Sequence, residues 1–114
     1  MASTVIYHNP KCSTSRKTLE LLRNNGIEPE VVQYLKTPLS RDELAGMIGA
    51  AGIDVRAAVR KREALYAELD LADASDDQLL DAMAEHPILI ERPFVVTAKG
   101  TRLARPVDTV REIL

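Results

Sequence analysis

The order of its predicted elements places the chain in the α/β class, with a mixed four-stranded sheet. Short runs of β-branched and aromatic residues near both ends of the sequence are typical of strands. Apolar residues at helical spacing, introduced by helix-capping patterns, fill the middle. The elements therefore follow as βαβ, then a helical insert, then ββα.

The N-terminal third predicts a βαβ unit. Residues 4–7 form a β-branched and aromatic run that ends before Pro10. From Ser13 the apolar residues recur at helical spacing, and Gly26 stands where a helix C-cap is common. Residues 30–34 indicate a second strand. Because a crossover helix joins the two strands, we expect them to be parallel, with a right-handed connection.

The middle of the chain predicts helices. Residues 40–43 and 75–78 each begin with a serine and end with the glutamate or glutamine of a capping box. Gly52 follows the first of these helices, and Pro87 follows the second. Between them, apolar spacing predicts a further helix over residues 53–61. We therefore expect a helical insert between the two groups of strands.

The C-terminal part predicts an antiparallel hairpin and a last helix. Two β-type runs, residues 94–97 and 101–104, flank a Lys-Gly turn at residues 99–100. Pro106 can begin a helix that continues to the end of the chain. Together with the preceding elements, this is the order of a thioredoxin-like sheet with an inserted helical segment.

Length and composition favour one globular domain over residues 1–114. Hydrophobic residues make up 46% and charged residues 28%, which are ordinary globular values. The net charge of −2 offers no general attraction to nucleic acid or to anionic membranes. No apolar run approaches the roughly 20 residues of a membrane span, and the N-terminus lacks the pattern of a secretion signal. We expect a cytoplasmic protein with neither nucleic acid nor membrane as a partner.

The single cysteine, Cys12, is the first candidate for chemistry. With no second cysteine, neither an intramolecular disulfide nor a thiolate metal cluster can form, and we expect no metal site. Cys12 lies where the first helix begins, and the amides and dipole of a helix N-terminus stabilise a thiolate. Lys11 and Arg16 add positive charge nearby. We therefore predict a pKa below the ordinary value of about 8.5, against the alternative of a cysteine buried as a small hydrophobe.

The neighbours of Cys12 exclude two thiol chemistries. A C-x-x-C redox pair needs a cysteine where Ser15 stands, and a C-x5-R phosphatase loop needs an arginine where Thr18 stands. His8, at the end of the first strand, is a candidate for tuning the thiol, as is Ser15. His86 precedes a proline and fits a helix end better than a site.

Three arginines form the second candidate group. Arg60, Arg92 and Arg105 each lie near the end of a predicted element, and the last two precede prolines. The guanidinium fork suits tetrahedral oxyanions, to which it donates paired hydrogen bonds. The alternative for each is a solvated surface cation, and sequence spacing alone does not bring the three together.

The residues around Cys12 resemble the active-site segment of the glutaredoxin-coupled arsenate reductases. The similarity runs in order along nearly the whole chain: residues 7–19 (YHNPKCSTSRKTL), 34–35, 40–44, 55–61, 86–93 (HPILIERP) and 100–106 (GTRLARP). It implies a thioredoxin-like fold in which Cys12 is the nucleophile and Arg60, Arg92 and Arg105 bind the oxyanion. It also implies a cis peptide bond before Pro93.

The activity implied by this resemblance is the reduction of arsenate to arsenite. Glutathione would be the co-substrate and glutaredoxin the protein partner, with no bound cofactor. The lack of a second cysteine agrees with a need for external thiols. The chain is shorter than its close relatives between Leu71 and Ser75 and ends at Leu114 without their polar tail, but neither departure touches a matched site residue.

Two other functions stay open from the sequence. A glutathione-dependent thiol oxidoreductase of the same family, acting on another substrate, would use Cys12 without needing the three arginines. A branch of the family consists of transcriptional regulators that bind RNA polymerase, but that branch typically has a C-x-x-C pair, which Ser15 rules out here. A pull-down with RNA polymerase would separate the regulator from the enzymes.

Overall fold

The computed structural model describes residues 4–114, so residues 1–3, which contribute to the expectation about secretion, lie outside it. The chain divides into two compact units: residues up to Thr37 together with Arg92–Leu114, and Pro38–Glu91. The single domain over residues 1–114 stays a prediction. In the described part of the chain, no helix has the length and apolar character that a bilayer crossing requires.

The first unit contains a mixed four-stranded sheet, as the sequence predicts. Its strands are β1 (Val5–Tyr7), β2 (Glu30–Val32), β3 (Phe94–Thr97) and β4 (Gly100–Leu103). Their order across the sheet is β2-β1-β3-β4. β1 is parallel to β2 and antiparallel to β3, and β3 is antiparallel to β4. The predicted βαβ unit and C-terminal hairpin are both present.

The strand register brings three chain segments to one end of β1. Tyr7 pairs with Val32 on one side and with Phe94 on the other. The His8 amide then donates a hydrogen bond to the Val32 carbonyl at 2.8 Å. The loop after β1, the chain after β2 and the residues before β3 therefore meet at the carboxyl end of β1.

A helix, α1 (Ser13–Asn24), connects β1 to β2, and Gly26 follows it with a positive φ of 76°. Such a φ favours glycine, because a side chain is strained there. Beyond the sheet, residues Val107–Ile113 form a 3-10 helix and not the predicted α-helix. The core of this unit is apolar and almost fully buried: Ile6, Leu22, Val95, Ala104, Val110 and Ile113.

The second unit is helical, with α2 (Arg41–Ala50), α3 (Ala64–Glu68) and α4 (Asp76–Glu85). Both predicted capping boxes are confirmed. Ser40 accepts a hydrogen bond from the Glu43 amide, Ser75 accepts one from the Gln78 amide, and each N3 side chain bonds back to the serine amide. α2 and α4 pack against each other.

The predicted helix over residues 53–61 is wrong. Only Val55–Ala58 are helical, as one 3-10 turn, and Val59 is extended at φ −89° and ψ 132°. Val59 forms an isolated antiparallel bridge with Ile90, and the Arg60 amide donates to the Leu89 carbonyl at 2.6 Å. Tertiary hydrogen bonds thus replace those that a helix would have supplied. The short α3 that follows is absent from the sequence prediction.

Candidate active site

Cys12 is the N-cap residue of α1, with an extended backbone at φ −94° and ψ 123°. Its amide donates to the Asn9 carbonyl at 3.0 Å, and its carbonyl accepts from the Arg16 amide at 3.0 Å. The side chain is half-buried and the thiol is free. The predicted position at the mouth of the first helix is therefore confirmed.

Burial and hydrogen bonding have opposite effects on the pKa of Cys12, and the hydrogen bonds have the larger combined effect. Burial raises the pKa of the thiol, whereas hydrogen bonds from the Ser15 and Thr14 amides and from the Arg92 guanidinium lower it. The net shift is downward, as the sequence predicts. The thiolate is thus held by the first turn of α1 together with one guanidinium.

The cation that stabilises the Cys12 thiolate is neither Lys11 nor Arg16, the two neighbours in sequence that were expected to do so. Arg92, from the segment before β3, is the cation that lowers the pKa of Cys12. The Arg16 side chain is directed elsewhere, because its Nη1 donates to the Pro10 carbonyl at 2.8 Å. Lys11 is exposed. Arg92 reaches this end of the sheet because β3 pairs with β1, and that pairing cannot be deduced from sequence spacing.

His8 and Ser15 form a buried pair near Cys12. The His8 Nδ1 and the Ser15 Oγ are 2.6 Å apart, and the Asn9 amide donates to the same hydroxyl oxygen at 3.1 Å. Burial lowers the pKa of His8, and the charges of two arginines of α1 lower it further. The neutral imidazole therefore connects to Cys12 through Ser15, whose own amide bonds the sulfur. Their tuning role stays a prediction.

Arg92 and Arg105 are adjacent in the first unit. Arg92 is buried, and Arg105 Nη1 donates to the Arg92 carbonyl at 3.2 Å. The Arg92–Pro93 peptide bond is cis, which confirms the expectation drawn from the resemblance. The Arg105–Pro106 bond is also cis, which the sequence analysis does not anticipate. Two of the three candidate arginines are thus neighbours, and one of them, Arg92, acts on the Cys12 thiol.

Arg60 belongs to the second unit, where it is partly buried. Its Nε donates to Glu63 Oε1 at 3.0 Å. Its Nη1 is buried and has no hydrogen-bond partner among residues 4–114. One edge of this guanidinium is therefore neutralised and the other is available to an acceptor. Its convergence with Arg92 and Arg105 stays a prediction.

Tyr34 belongs to this cluster and is not among the predicted site residues. It is 1% exposed and lies two residues beyond β2. Burial raises the pKa of the Tyr34 phenol, Arg92 opposes that shift, and Cys12 adds to it. The strand register could have indicated this residue, because it brings the end of β2 beside the loop that follows β1.

His86 caps the C-terminus of α4, as expected for a residue at a helix end. No group of three or more potential metal ligands occurs among the residues that the structure describes.

The cluster as a whole combines a stabilised thiolate with donors for an anion. Cys12 is the candidate nucleophile, the amides of Ser15 and Thr14 and the Arg92 guanidinium stabilise its thiolate, and Arg105 donates to the Arg92 carbonyl. Such an arrangement suits attack by sulfur on a tetrahedral oxyanion, whose charge the donors stabilise.

Comparisons with known proteins bear directly on this site. A family model described as the ArsC family matches residues 7–113. An arsenate reductase of Rhizobium meliloti strain 1021 is 60% identical, with 98% of this chain and 81% of that protein covered. An arsenate reductase of Escherichia coli is 57% identical, with 100% and 82% covered. The solved structure of an arsenate reductase from Vibrio cholerae superposes with a TM-score of 0.94 at 54% identity, covering 99% of this chain and 98% of that one.

Proposed function

This chain belongs to the ArsC family, and from that premise we propose that it reduces arsenate to arsenite with Cys12 as the nucleophile. The observation that carries the proposal is the setting of the sulfur. Cys12 is the N-cap of α1, its pKa is lowered, and Arg92 lies against it. A thiolate among anion donors is the arrangement that attack on an oxyanion requires.

The first step joins sulfur to arsenic. Arsenate binds to the amides of α1 and to Arg60, Arg92 and Arg105, which together neutralise its charge. The Cys12 thiolate donates its electron pair to arsenic, and one oxygen leaves with two protons as water. Arsenic stays in the +5 state and is now bound to Cys12. The guanidiniums stabilise the oxygens while the coordination of arsenic changes.

The electrons come from thiols outside the chain. Cys12 has no second cysteine with which to form a disulfide. We take glutathione as the second thiol: it binds arsenic through its sulfur while a second oxygen leaves as water. The glutaredoxin thiolate then attacks the glutathione sulfur, so a mixed disulfide forms and the arsenic–sulfur electron pair stays on arsenic, reducing it to +3. Water then releases arsenite from Cys12 and restores the thiol.

A reducing compartment fits this sequence of steps, because both external thiols must be in their reduced form. We therefore place the reaction in the cytoplasm, where glutathione and its partner proteins keep thiols reduced.

The proposal is tested by measuring arsenite release with arsenate, glutathione and glutaredoxin, each omitted in turn. We expect release only when all three are present. Release without glutathione would contradict the role given to the external thiol. Release without glutaredoxin at the full rate would contradict the last electron transfer. A pull-down with RNA polymerase serves as the control for the regulator function.

A further inference from the structure

Three chain segments converge at the carboxyl end of β1, and Tyr34 lies where they meet. The parallel register pairs Tyr7 with Val32, so the loop that carries Asn9 and the turn that carries Tyr34 leave the sheet at the same end. The antiparallel register pairs Tyr7 with Phe94, so Arg92 lies at the same end on the other side. The topology therefore brings Asn9, Tyr34 and Arg92 to the end of the sheet near Cys12, the N-cap of α1, and the influence of Asn9, Arg92 and Cys12 on the pKa of Tyr34 agrees with this placement.

The Tyr34 hydroxyl is buried in this cluster, close to the Arg92 guanidinium and to the Asn9 amide. Its oxygen has no partner in hydrogen-bond geometry among residues 4–114. The Arg92 guanidinium and the Asn9 amide are nevertheless close enough to oppose the rise in the pKa of the phenol that burial causes. A phenol is protonated at neutral pH, and the raised pKa reinforces this, so the hydroxyl can both donate and accept a hydrogen bond.

A buried hydroxyl that lacks a well-aligned hydrogen bond is costly, so its presence in a native protein needs an explanation, and a role in a functional site is one such explanation. A phenylalanine would fill the same space without that cost. The Tyr34 phenol is close to Arg92, which among the described residues is the arginine that lowers the pKa of Cys12, so it is placed to act on that side chain. A phenol oxygen is a good acceptor for a guanidinium N–H and would limit the orientations that Arg92 adopts.

We propose that Tyr34 is a positioning residue of this site, whose buried hydroxyl orients the Arg92 guanidinium toward the sulfur of Cys12 and toward the oxyanion that reacts there. The part of this proposal that concerns the oxyanion rests on the function proposed above. The part that concerns Arg92 and the thiol does not depend on that function. A residue of this kind acts on the reaction through another side chain, so its removal lowers kcat more than it raises KM.

The test compares Tyr34→Phe with Tyr66→Phe. Each variant loses one tyrosine hydroxyl and keeps the ring. Tyr66 is the matched control, because its hydroxyl accepts a hydrogen bond from Arg56 Nη1 at 3.2 Å, within the second unit. For each variant we would measure the pH midpoint of Cys12 alkylation by iodoacetamide, the kcat and KM for arsenate, and unfolding by urea.

For Tyr34→Phe we expect the alkylation midpoint to rise by about half a pH unit or more, because a loosely held Arg92 stabilises the thiolate less. We also expect kcat to fall by about tenfold or more, with little change in KM. Tyr66→Phe should leave the midpoint and kcat as they are. A Tyr34→Phe midpoint equal to that of the wild type would overturn the proposal, whatever the unfolding curve shows.

The alkylation measurement needs neither arsenate nor an external thiol, so it separates two failures. If the wild-type protein releases no arsenite, the proposed function fails, and the midpoint alone decides whether Tyr34 positions Arg92. If arsenite is released and the midpoint rises while kcat is unchanged, the role of Tyr34 toward the oxyanion is wrong.

Discussion

At the scale of single residues, the reactivity of Cys12 depends on which charge reaches its sulfur. Burial works against the thiolate, and the amides of Ser15 and Thr14 together with Arg92 outweigh it. Sequence neighbours predict that charge to come from Lys11 and Arg16, yet the structure assigns it to a residue 80 positions away along the chain. Removing this one side chain should therefore change the thiol more than removing a neighbour does.

The alkylation rate of Cys12 tests this assignment, because the chain has no other cysteine to react. The rate follows the thiolate fraction, so it rises with pH and levels off above the folded-state pKa. We expect the midpoint in the wild type to lie below about 8.5, and Arg92→Ala to move it upward.

Arg16→Ala is the control for this measurement. The Arg16 side chain bonds the Pro10 carbonyl and is not among the groups that lower the pKa of Cys12. Its loss should leave the midpoint unchanged. Equal shifts in the two variants would show that positive charge in general, and not the Arg92 contact, stabilises the thiolate.

Ser15 gives a second prediction at this scale. Its hydroxyl is fully buried and pairs with both the His8 ring and the Asn9 amide. Ser15→Ala leaves these two buried groups without their partner, so we expect a loss of about 1–3 kcal/mol in the free energy of unfolding, measured with urea. Ser13→Ala removes an exposed serine from the same helix turn and should change it by less than about 0.5 kcal/mol. A loss of the same size in both variants would argue against the buried pair.

At the scale of elements, the N-cap of α2 gives a prediction about the free energy of unfolding. Ser40 begins α2 with both hydrogen bonds of a capping box. Ser40→Ala removes the acceptor for the Glu43 amide, and we expect it to lower the free energy of unfolding by about 0.5–2 kcal/mol. Ser40→Asp keeps an acceptor at the N-cap and should retain most of that stability. Equal losses for the two variants would mean that the cap is not what holds this end of α2.

Elements with local signals could be predicted from the sequence, and elements held by distant partners could not. The capping boxes at Ser40 and Ser75 define their helices through bonds within four residues. The segment over residues 53–61 has apolar spacing suited to a helix, but Val59 pairs with Ile90 instead. A local sequence pattern cannot predict this bridge, because its two residues are far apart along the chain.

The residues of the candidate site likewise include some that have local sequence signals and some that depend on distant partners. Cys12 is recognisable because a lone cysteine at the start of a predicted helix is a local feature, as is the excluded C-x-x-C pair. Tyr34 and the contact of Arg92 with the thiol depend on how β2 and β3 align with β1. Those registers are tertiary facts. Sequence position and the resemblance both indicated Arg92 as a candidate oxyanion binder, but neither indicated its influence on the thiol.

At the scale of the whole molecule, the prediction that asks most of the fold is that three arginines bind one oxyanion. Arg60 belongs to one compact unit, while Arg92 and Arg105 belong to the other. If all three hold one oxyanion, each change to Ala should reduce kcat/KM for arsenate by roughly 30- to 1,000-fold, or about 2–4 kcal/mol. Lys should rescue only partly, since it restores the charge without the fork. The losses should be non-additive in double variants.

Arg111→Ala is the matched control for the arginine series. Arg111 forms an exposed ion pair with Asp108, so its loss should change kcat/KM little and the free energy of unfolding by less than about 0.5 kcal/mol. An arginine of the three whose Ala variant keeps more than about half of the wild-type kcat/KM is a surface cation and not a ligand of the oxyanion.

The central claim is that one thiol carries the reaction, and arsenite release by Cys12→Ser tests it most directly. The assay supplies arsenate, glutathione and glutaredoxin, and the circular dichroism spectrum and urea unfolding curve show whether the variant is folded. Serine has nearly the same size but does not form the thiolate that attacks arsenic. We expect a folded variant with no arsenite release above the rate without protein. Release at a rate comparable to that of the wild type would contradict the account.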